Sequence, residues 1–138
     1  MRATGAETQL TFDGVKDYGY ATDNAGWTRS NRPVVSWAPD GRKIATFQQD
    51  QRGVGEMYLV ETRVGHPVLH AWKYPLPGDE KVTMIERVVI HLDGPRGVRR
   101  KMAPDQHRGS AADDIKADDG SMADVIWSPD SRRLAFAS

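Results

Sequence analysis

The sequence predicts an all-β fold, and three observations support this prediction. A hairpin motif containing tryptophan occurs twice, the 138 residues include 13 glycines and 8 prolines, and no segment shows the apolar spacing of an amphipathic helix. Glycine and proline are frequent in turns and disfavour helix interiors. Their number therefore indicates short strands joined by many turns.

The repeated motif indicates the architecture. Val35–Ala45 and Val125–Ala135 share Val, Trp, Pro, Asp, Arg and Ala at matching positions, and Trp37 and Trp127 are 90 residues apart. Propeller blades contain about 40–50 residues, so this offset equals roughly two blades, or one blade with a long insertion. We therefore expect a partial β-propeller of about two to three antiparallel blades.

Each copy has the residues of a tight hairpin. One residue separates the valine from the tryptophan, and this spacing places both large side chains on the same face of a strand. Proline sets φ at the first corner of the turn, and the aspartate that follows can accept backbone N–H bonds. Gly41 can adopt the positive φ of the reversal. Ser131 replaces it in the second copy, where we expect modest strain.

The remaining strands are predicted from short apolar or alternating runs bounded by turn residues. An acid-rich segment, Ala111–Gly120, lacks an apolar stripe and is expected to be a solvated loop. The predicted strands are Glu56–Thr62, Pro67–Trp72, Val82–Leu92 and Gly97–Met102. Tyr18–Thr22 is predicted to be a short strand or a loop.

Charge and composition exclude several classes of partner. Basic and acidic residues number 19 each, so the net charge is zero, whereas a nucleic-acid-binding domain has a basic excess. No run approaches the roughly 18 apolar residues of a membrane span. Cysteine is absent, so neither a disulfide nor a thiolate metal site is expected.

No catalytic residue, metal site or cofactor is expected. The Gly-x-Ser-x-Gly string of serine hydrolases is missing. His66 and His70 are four positions apart, but Pro67 opposes a helix that would place both on one face. The acids of Ala111–Gly120 lack the spacing of a calcium loop.

Four residues are candidates for substrate binding: Tyr18, Tyr20, Asp23 and Arg52. Three of them lie in Tyr18–Trp27, which contains three aromatic residues. Aromatic and acidic side chains on a loop are typical of ligand contacts; the alternative is a blade connection whose aromatics close the core. Arg52 follows a strand, either in a simple turn or as a polar contact at a pocket rim.

The motifs resemble those of a known family. Trp-Ser/Ala-Pro-Asp-Gly followed by Ile-Ala is similar to the blade motif of propellers in the prolyl oligopeptidase clan. The order Asp17–Asp23, Val35–Asp50, Lys73–Asp79, a long strand pair and a second Trp-Ser-Pro-Asp resembles the N-terminal β-propeller region of bacterial dipeptidyl peptidase IV-like serine peptidases. The resemblance extends from about Leu10 to Ser138.

That resemblance implies a division of the chain. Residues 1–17 would end one blade, 18–122 would form a blade with a long hairpin extension, and 123–138 would start the next. The parent protein would be a serine exopeptidase that releases dipeptides, commonly after Pro or Ala, with its catalytic residues in an α/β-hydrolase domain. The propeller would be non-catalytic, would gate the active site and would help hold the peptide amino terminus. A periplasmic or extracellular location is favoured over a cytoplasmic one.

One feature departs from the family. Its best-known members hold the substrate ammonium with a pair of glutamates, whereas Tyr18–Asn24 contains none, and Asp23 can supply only part of that contact.

The expected partners are the hydrolase domain, a peptide substrate and further copies joined through open sheet edges. The alternative is a free-standing propeller-type interaction module without peptidase activity.

Overall fold

The computed structural model describes residues 5–24, 29–94, 96–99, 104–106 and 115–136. These residues form strands, turns and loops without a helix, which confirms the all-β prediction. The strands are β1 (Tyr18–Tyr20), β2 (Ser36–Trp37), β3 (Lys43–Asp50), β4 (Glu56–Glu61), β5 (Val68–Lys73), β6 (Met84–His91), β7 (Arg96–Arg99), β8 (Asp105–Gln106), β9 (Val125–Trp127) and β10 (Leu134–Phe136).

A central antiparallel sheet is built on the pairing of β3 with β6. The pairing extends from Lys43 opposite His91 to Asp50 opposite Met84. The short strands β1 and β2 share the other side of β3, while β7 and β8 share the other side of β6. The sheet is therefore four strands wide, the width of a propeller blade.

Two further hairpins accompany this sheet. The ribbon of β4 and β5 lies between β3 and β6 in the chain and pairs only with itself among the described strands. The second tryptophan hairpin consists of β9 and β10. Only this second hairpin contributes to the main apolar core.

The core lies between the central sheet and the β9–β10 hairpin. Phe47 on β3 is fully buried, and it belongs to a cluster onto which the second hairpin packs three partly buried side chains, Trp127, Leu134 and Phe136. Burial of such apolar surface is the main stabilising contribution in a fold of this size. The buried members are Val34, Ala45, Phe47, Ile85, Ile115, Met122 and Val125.

The predicted tryptophan hairpins are confirmed, and their turns have the same hydrogen bonds. The Ala38 amide donates to the Lys43 carbonyl at 3.0 Å, and the Ser128 amide donates to the Arg133 carbonyl at 2.9 Å. Trp37 pairs with Ile44 as Trp127 pairs with Leu134. The motif therefore specifies one local structure in both places.

The predicted strain at Ser131 is also present. Gly41 has a φ of 67° and Ser131 a φ of 58°. Positive φ is costly for a residue with a Cβ atom. Both corners are closed by an amide hydrogen bond of 2.9 Å, from Gly41 to Ala38 and from Ser131 to Ser128.

The other predicted strands are confirmed where the structure describes them, with ends that shift by one or two residues. Residues 100–102, 111–114 and Trp27 lie outside the described residues. One expectation was wrong: Ile115, assigned to a solvated loop, is 1% exposed and belongs to the core. Among the described residues, no helix is long and apolar enough to cross a membrane.

Candidate functional site

Arg52 and Tyr18 form the centre of the candidate site. Arg52 follows β3, and its guanidinium carbon lies 4.1 Å from the centroid of the Tyr18 ring. Tyr18 is brought there because it pairs with Asp50 across β1 and β3. A guanidinium over an aromatic face is attracted by the ring quadrupole. The structure thus joins two of the four predicted residues.

Asp50 fixes the orientation of this guanidinium. Arg52 Nε donates to Asp50 Oδ1 at 2.9 Å, and Nη2 donates to Oδ2 at 2.7 Å. The Arg52 backbone amide also donates to Asp50 Oδ1 at 3.1 Å. Two parallel hydrogen bonds between a guanidinium and a carboxylate are stronger and more directional than a single hydrogen bond, so Asp50 holds the Arg52 guanidinium in one orientation.

The electrostatics follow from this geometry. The side-chain hydrogen bond from Arg52 lowers the pKa of Asp50 below its ordinary value, although partial burial opposes the shift. The same bond raises the pKa of Arg52. Asp50 is therefore an ionised anchor at neutral pH, and the Nη1 group of Arg52 remains available to an acceptor because the side chain is 55% exposed.

Tyr20 lies two residues along β1 from Tyr18, on the same face of the strand. Its hydroxyl donates to Asp13 Oδ1 at 2.8 Å. Tyr20 is paired with Gln48, a residue that is 1% exposed and whose side-chain amide has no hydrogen-bond partner within the described part of the chain. Tyr18, Tyr20 and Arg52 therefore share one end of the central sheet.

Asp23 is held differently. Lys116 Nζ donates to Asp23 Oδ1 at 2.8 Å, and the Asp23 side chain is only 12% exposed. Its neighbours Thr22 and Asn24 donate to the side-chain oxygens of Gln49 and Gln51, the two residues on either side of Asp50 in the sequence. The carboxylate of Asp23 is therefore already paired with a cation, the ammonium of Lys116.

Arg87, which was not predicted as a site residue from the sequence, forms the centre of a buried charge cluster. Arg87 Nε donates to Asp124 Oδ2 at 2.8 Å, and Arg87 also pairs with Asp105. The side chains of Arg87 and Asp124 are 9% and 7% exposed. Asp124 directly precedes β9, so this pair joins the central sheet to the second hairpin. An arginine within a strand run gives no local signal of such a distant partner.

The tryptophan hairpins also contact each other directly. Trp127 Nε1 donates to the Ser36 carbonyl at 3.3 Å. Near the turns, the Asp40 amide donates to Ser131 Oγ at 3.0 Å, and Lys43 Nζ donates to the Ser131 carbonyl at 2.9 Å. The strained corner at Ser131 is therefore also the contact point between the two units.

The histidines do not converge on a metal site within the described part of the chain. His70 Nε2 lies 2.8 Å from Glu61 Oε2 across the β4–β5 ribbon. No group of three or more His, Asp or Glu side chains among the described residues is arranged to hold a metal ion.

Repeated antiparallel units, stacked through tryptophan hairpins, define the chain as part of a β-propeller. Over residues 1–138 it matches the family described as the dipeptidyl peptidase IV (DPP IV) N-terminal region, and it belongs to that family. The resemblance to the N-terminal region of dipeptidyl peptidase IV-like proteins is thereby confirmed, while the bacterial origin stays a prediction. A search of curated proteins found no match.

Proposed function

We propose that this chain is the non-catalytic propeller portion of a dipeptidyl peptidase IV-like serine exopeptidase. In the parent protein it gates access to the active site of an α/β-hydrolase domain and helps hold the peptide amino terminus. Membership of the family supports the parent activity. The observation that supports peptide binding most strongly is the fixed, half-exposed guanidinium of Arg52.

Arg52 is suited to bind a peptide carbonyl. Asp50 and the Tyr18 ring hold the guanidinium, so little side-chain freedom is lost when a ligand binds. A guanidinium only donates hydrogen bonds. Near the amino end of a peptide, the group that can accept one is a main-chain carbonyl oxygen. Tyr18 and Tyr20 would form the adjacent aromatic wall.

Asp23 is assigned a secondary role. A peptide ammonium would have to compete with Lys116 for the carboxylate. We propose that Asp23 contributes only in part to amine recognition, as expected from the missing glutamate pair. Association with the hydrolase domain and self-association through the outer edges of the central sheet remain predictions.

Titration of the chain with a short Ala-Pro peptide, followed by amide chemical shifts, tests the binding proposal. We expect the shifts to concentrate at Tyr18, Tyr20 and Arg52, and Arg52→Met to weaken binding about tenfold, which corresponds to loss of one charge-assisted hydrogen bond. Arg42→Met is the matched control, because Arg42 is an arginine that is 70% exposed and 3.9 Å from Asp93.

Equal binding by the Arg52→Met and Arg42→Met variants would contradict the assignment of Arg52. The parent activity is tested separately by reading the gene beyond Ser138. A downstream Gly-x-Ser-x-Gly motif supports the peptidase, whereas an immediate stop codon supports the free-standing interaction module.

A further inference from the structure

Four aspartates of the chain are followed directly by glycine, and the structure holds these pairs in different ways. Aspartate before glycine is prone to isomerisation, because glycine has no side chain to hinder the approach of its amide nitrogen to the aspartate carboxyl carbon. The reaction needs a glycine amide and a carboxyl group that are both free to move together. The pairs are Asp13-Gly14, Asp40-Gly41, Asp93-Gly94 and Asp119-Gly120.

The pair at Asp40 is held at both reacting groups. The Gly41 amide donates to the Ala38 carbonyl at 2.9 Å. The Asp40 carboxylate accepts from the Arg42 backbone amide at 2.9 Å and from Lys43 Nζ at 3.2 Å. The hydrogen bond from the Arg42 amide, more than the one from Lys43, lowers the pKa of Asp40 below its ordinary value. The carboxylate therefore stays ionised, and an ionised carboxylate is a poor electrophile.

The pair at Asp119 is held in the same way. The Gly120 amide donates to the Ala117 carbonyl at 2.8 Å. The hydroxyl and the backbone amide of Ser121 donate to Asp119 Oδ1 at 2.6 and 2.8 Å, and the hydroxyl contributes most to lowering the pKa of Asp119. Two of the four pairs are thus protected by their own turns.

The pair at Asp13 is held on one side. The Tyr20 hydroxyl donates to Asp13 Oδ1 at 2.8 Å, whereas the Gly14 amide donates to no acceptor among the described residues. We therefore expect its reactivity to lie between that of the protected pairs and that of a free one.

The pair at Asp93 is held least. It lies in the turn between β6 and β7, directly after Leu92, whose amide donates to the Arg42 carbonyl at 2.9 Å. The Gly94 amide donates to no acceptor in the part of the chain that the structure describes, and a Cβ at Gly94 would meet no atom within 4 Å. The Asp93 side chain is 72% exposed and lies 3.9 Å from Arg42 Nη1, a separation at which an exposed ion pair restrains little.

We propose that Asp93-Gly94 is a site of spontaneous modification, at which the aspartate isomerises to isoaspartate. The Gly94 nitrogen bonds to Asp93 Cγ, and the amide proton and the carboxyl hydroxyl leave as water, which closes a succinimide ring. Water then adds to the main-chain carbonyl carbon of Asp93, and the bond from that carbon to the Gly94 nitrogen breaks. One water is lost and one is gained, so the mass is unchanged and no oxidant or reductant is needed.

The product changes the turn between β6 and β7 in two ways. The backbone now passes through the side chain of Asp93 and is longer by one carbon, and the former main-chain carbonyl becomes a free carboxylate on the surface. That carboxylate is the group that isoaspartyl methyltransferases methylate. We therefore expect the aged chain to accept methyl groups from S-adenosylmethionine through an enzyme of this class.

Peptide mapping of the aged, folded chain tests the proposal. Trypsin places each of the four pairs in a separate peptide, and isoaspartyl forms of unchanged mass are separated by chromatography and located by electron-transfer fragmentation. We expect isoaspartate in residues 88–96 to accumulate at least about tenfold faster than at Asp40 or Asp119, because those pairs must first break hydrogen bonds of their turns. Asp13 should be intermediate. Equal rates, or faster reaction at any of the other three pairs, would overturn the proposal.

The same measurement in urea is the control for local sequence. Unfolding removes the protection of the turns, so the four rates should become similar. A preference for Asp93 that is as large in urea as in the folded chain would assign the difference to its sequence neighbours and would contradict the structural argument.

Asp93→Asn and Asp40→Asn form a matched pair of variants. Asparagine forms the same succinimide with loss of ammonia, so the ionisation of the carboxylate no longer contributes and the freedom of the glycine amide is compared alone. We expect the Asp93→Asn chain to deamidate faster than the Asp40→Asn chain. Equal deamidation would show that the hydrogen bond from Gly41 to Ala38 gives no protection, and it would refute the assignment.

Discussion

The indole nitrogen of Trp127 lies 3.3 Å from the carbonyl oxygen of Ser36, across the boundary between the two tryptophan hairpins. Trp37, 90 residues earlier, has the same strand pairing but no such acceptor among the described residues. The two indoles therefore differ in surroundings although their hairpins agree in local structure. Trp127 packs against the main core, whereas Trp37 is 57% exposed.

Replacement of each tryptophan by phenylalanine should separate these roles. Trp127→Phe removes a hydrogen bond and part of a packed side chain, and we expect it to lower the free energy of unfolding by about 1–3 kcal/mol. Trp37→Phe, at an exposed position, should change it by less than about 0.5 kcal/mol. Urea unfolding of dilute protein measures both, and equal losses would contradict the assigned stacking.

Ser131 should reveal two opposing contributions. Ser131→Ala keeps the positive φ and loses the hydrogen bond from the Asp40 amide, so it should destabilise by about 1 kcal/mol. Ser131→Gly loses the same bond but removes the backbone strain of the positive φ, so it should leave the free energy of unfolding nearly unchanged. Thermal unfolding measures the difference between the two variants.

Gly41→Ala supplies the control for that strain. A Cβ at Gly41 meets no atom within 4 Å, while φ is 67°, so its expected cost of about 1 kcal/mol comes from the backbone alone. A stable Gly41→Ala variant, or a Ser131→Gly variant less stable than Ser131→Ala, would contradict this interpretation.

Removing one partner of the buried Arg87–Asp124 ion pair should strongly lower the free energy of unfolding. Arg87→Met leaves the Asp124 carboxylate buried without its cation, and we expect a loss of about 3–5 kcal/mol in the free energy of unfolding. The double variant Arg87→Met/Asp124→Leu removes both charges and should recover part of that loss. A double variant that is less stable than Arg87→Met would show that the pair is not coupled in this way.

Asp50 should titrate in acid below its ordinary range. Its pKa is lowered mainly by the hydrogen bond from Arg52, so its stabilising contribution is complete above the unfolded-state value of about 3.9. That contribution is lost as the pH falls through the lowered pKa. Carboxyl NMR titration measures the midpoint, and Arg52→Met should move it upward.

The sequence was sufficient to predict the hairpins and most strands, because their determinants are local. Proline, aspartate and the residue at Gly41 or Ser131 define the turn within a few positions. Tyr18 and Arg52 were each selected as candidates, but their contact was not predicted. That contact, and the role of Asp50 as its anchor, depend on the register of β1 against β3.

Distant partners could not be predicted in this way. Asp23 was proposed as a partial contact for the substrate ammonium, and Lys116, 93 residues away, already donates a hydrogen bond to it. Ile115 is a lone apolar residue beside acids, with no periodicity that would indicate burial. Such contacts depend on how the units pack, and a single sequence records them only as isolated residues.

Hydrogen exchange of the two indole N–H groups and of the turn amides, in dilute protein, tests the equivalence of the hairpins most directly. We expect matched protection for the Ala38 and Ser128 amides, slow exchange of the Trp127 indole and rapid exchange of the Trp37 indole. Unequal turn amides, or a Trp127 indole that exchanges as fast as that of Trp37, would contradict this expectation.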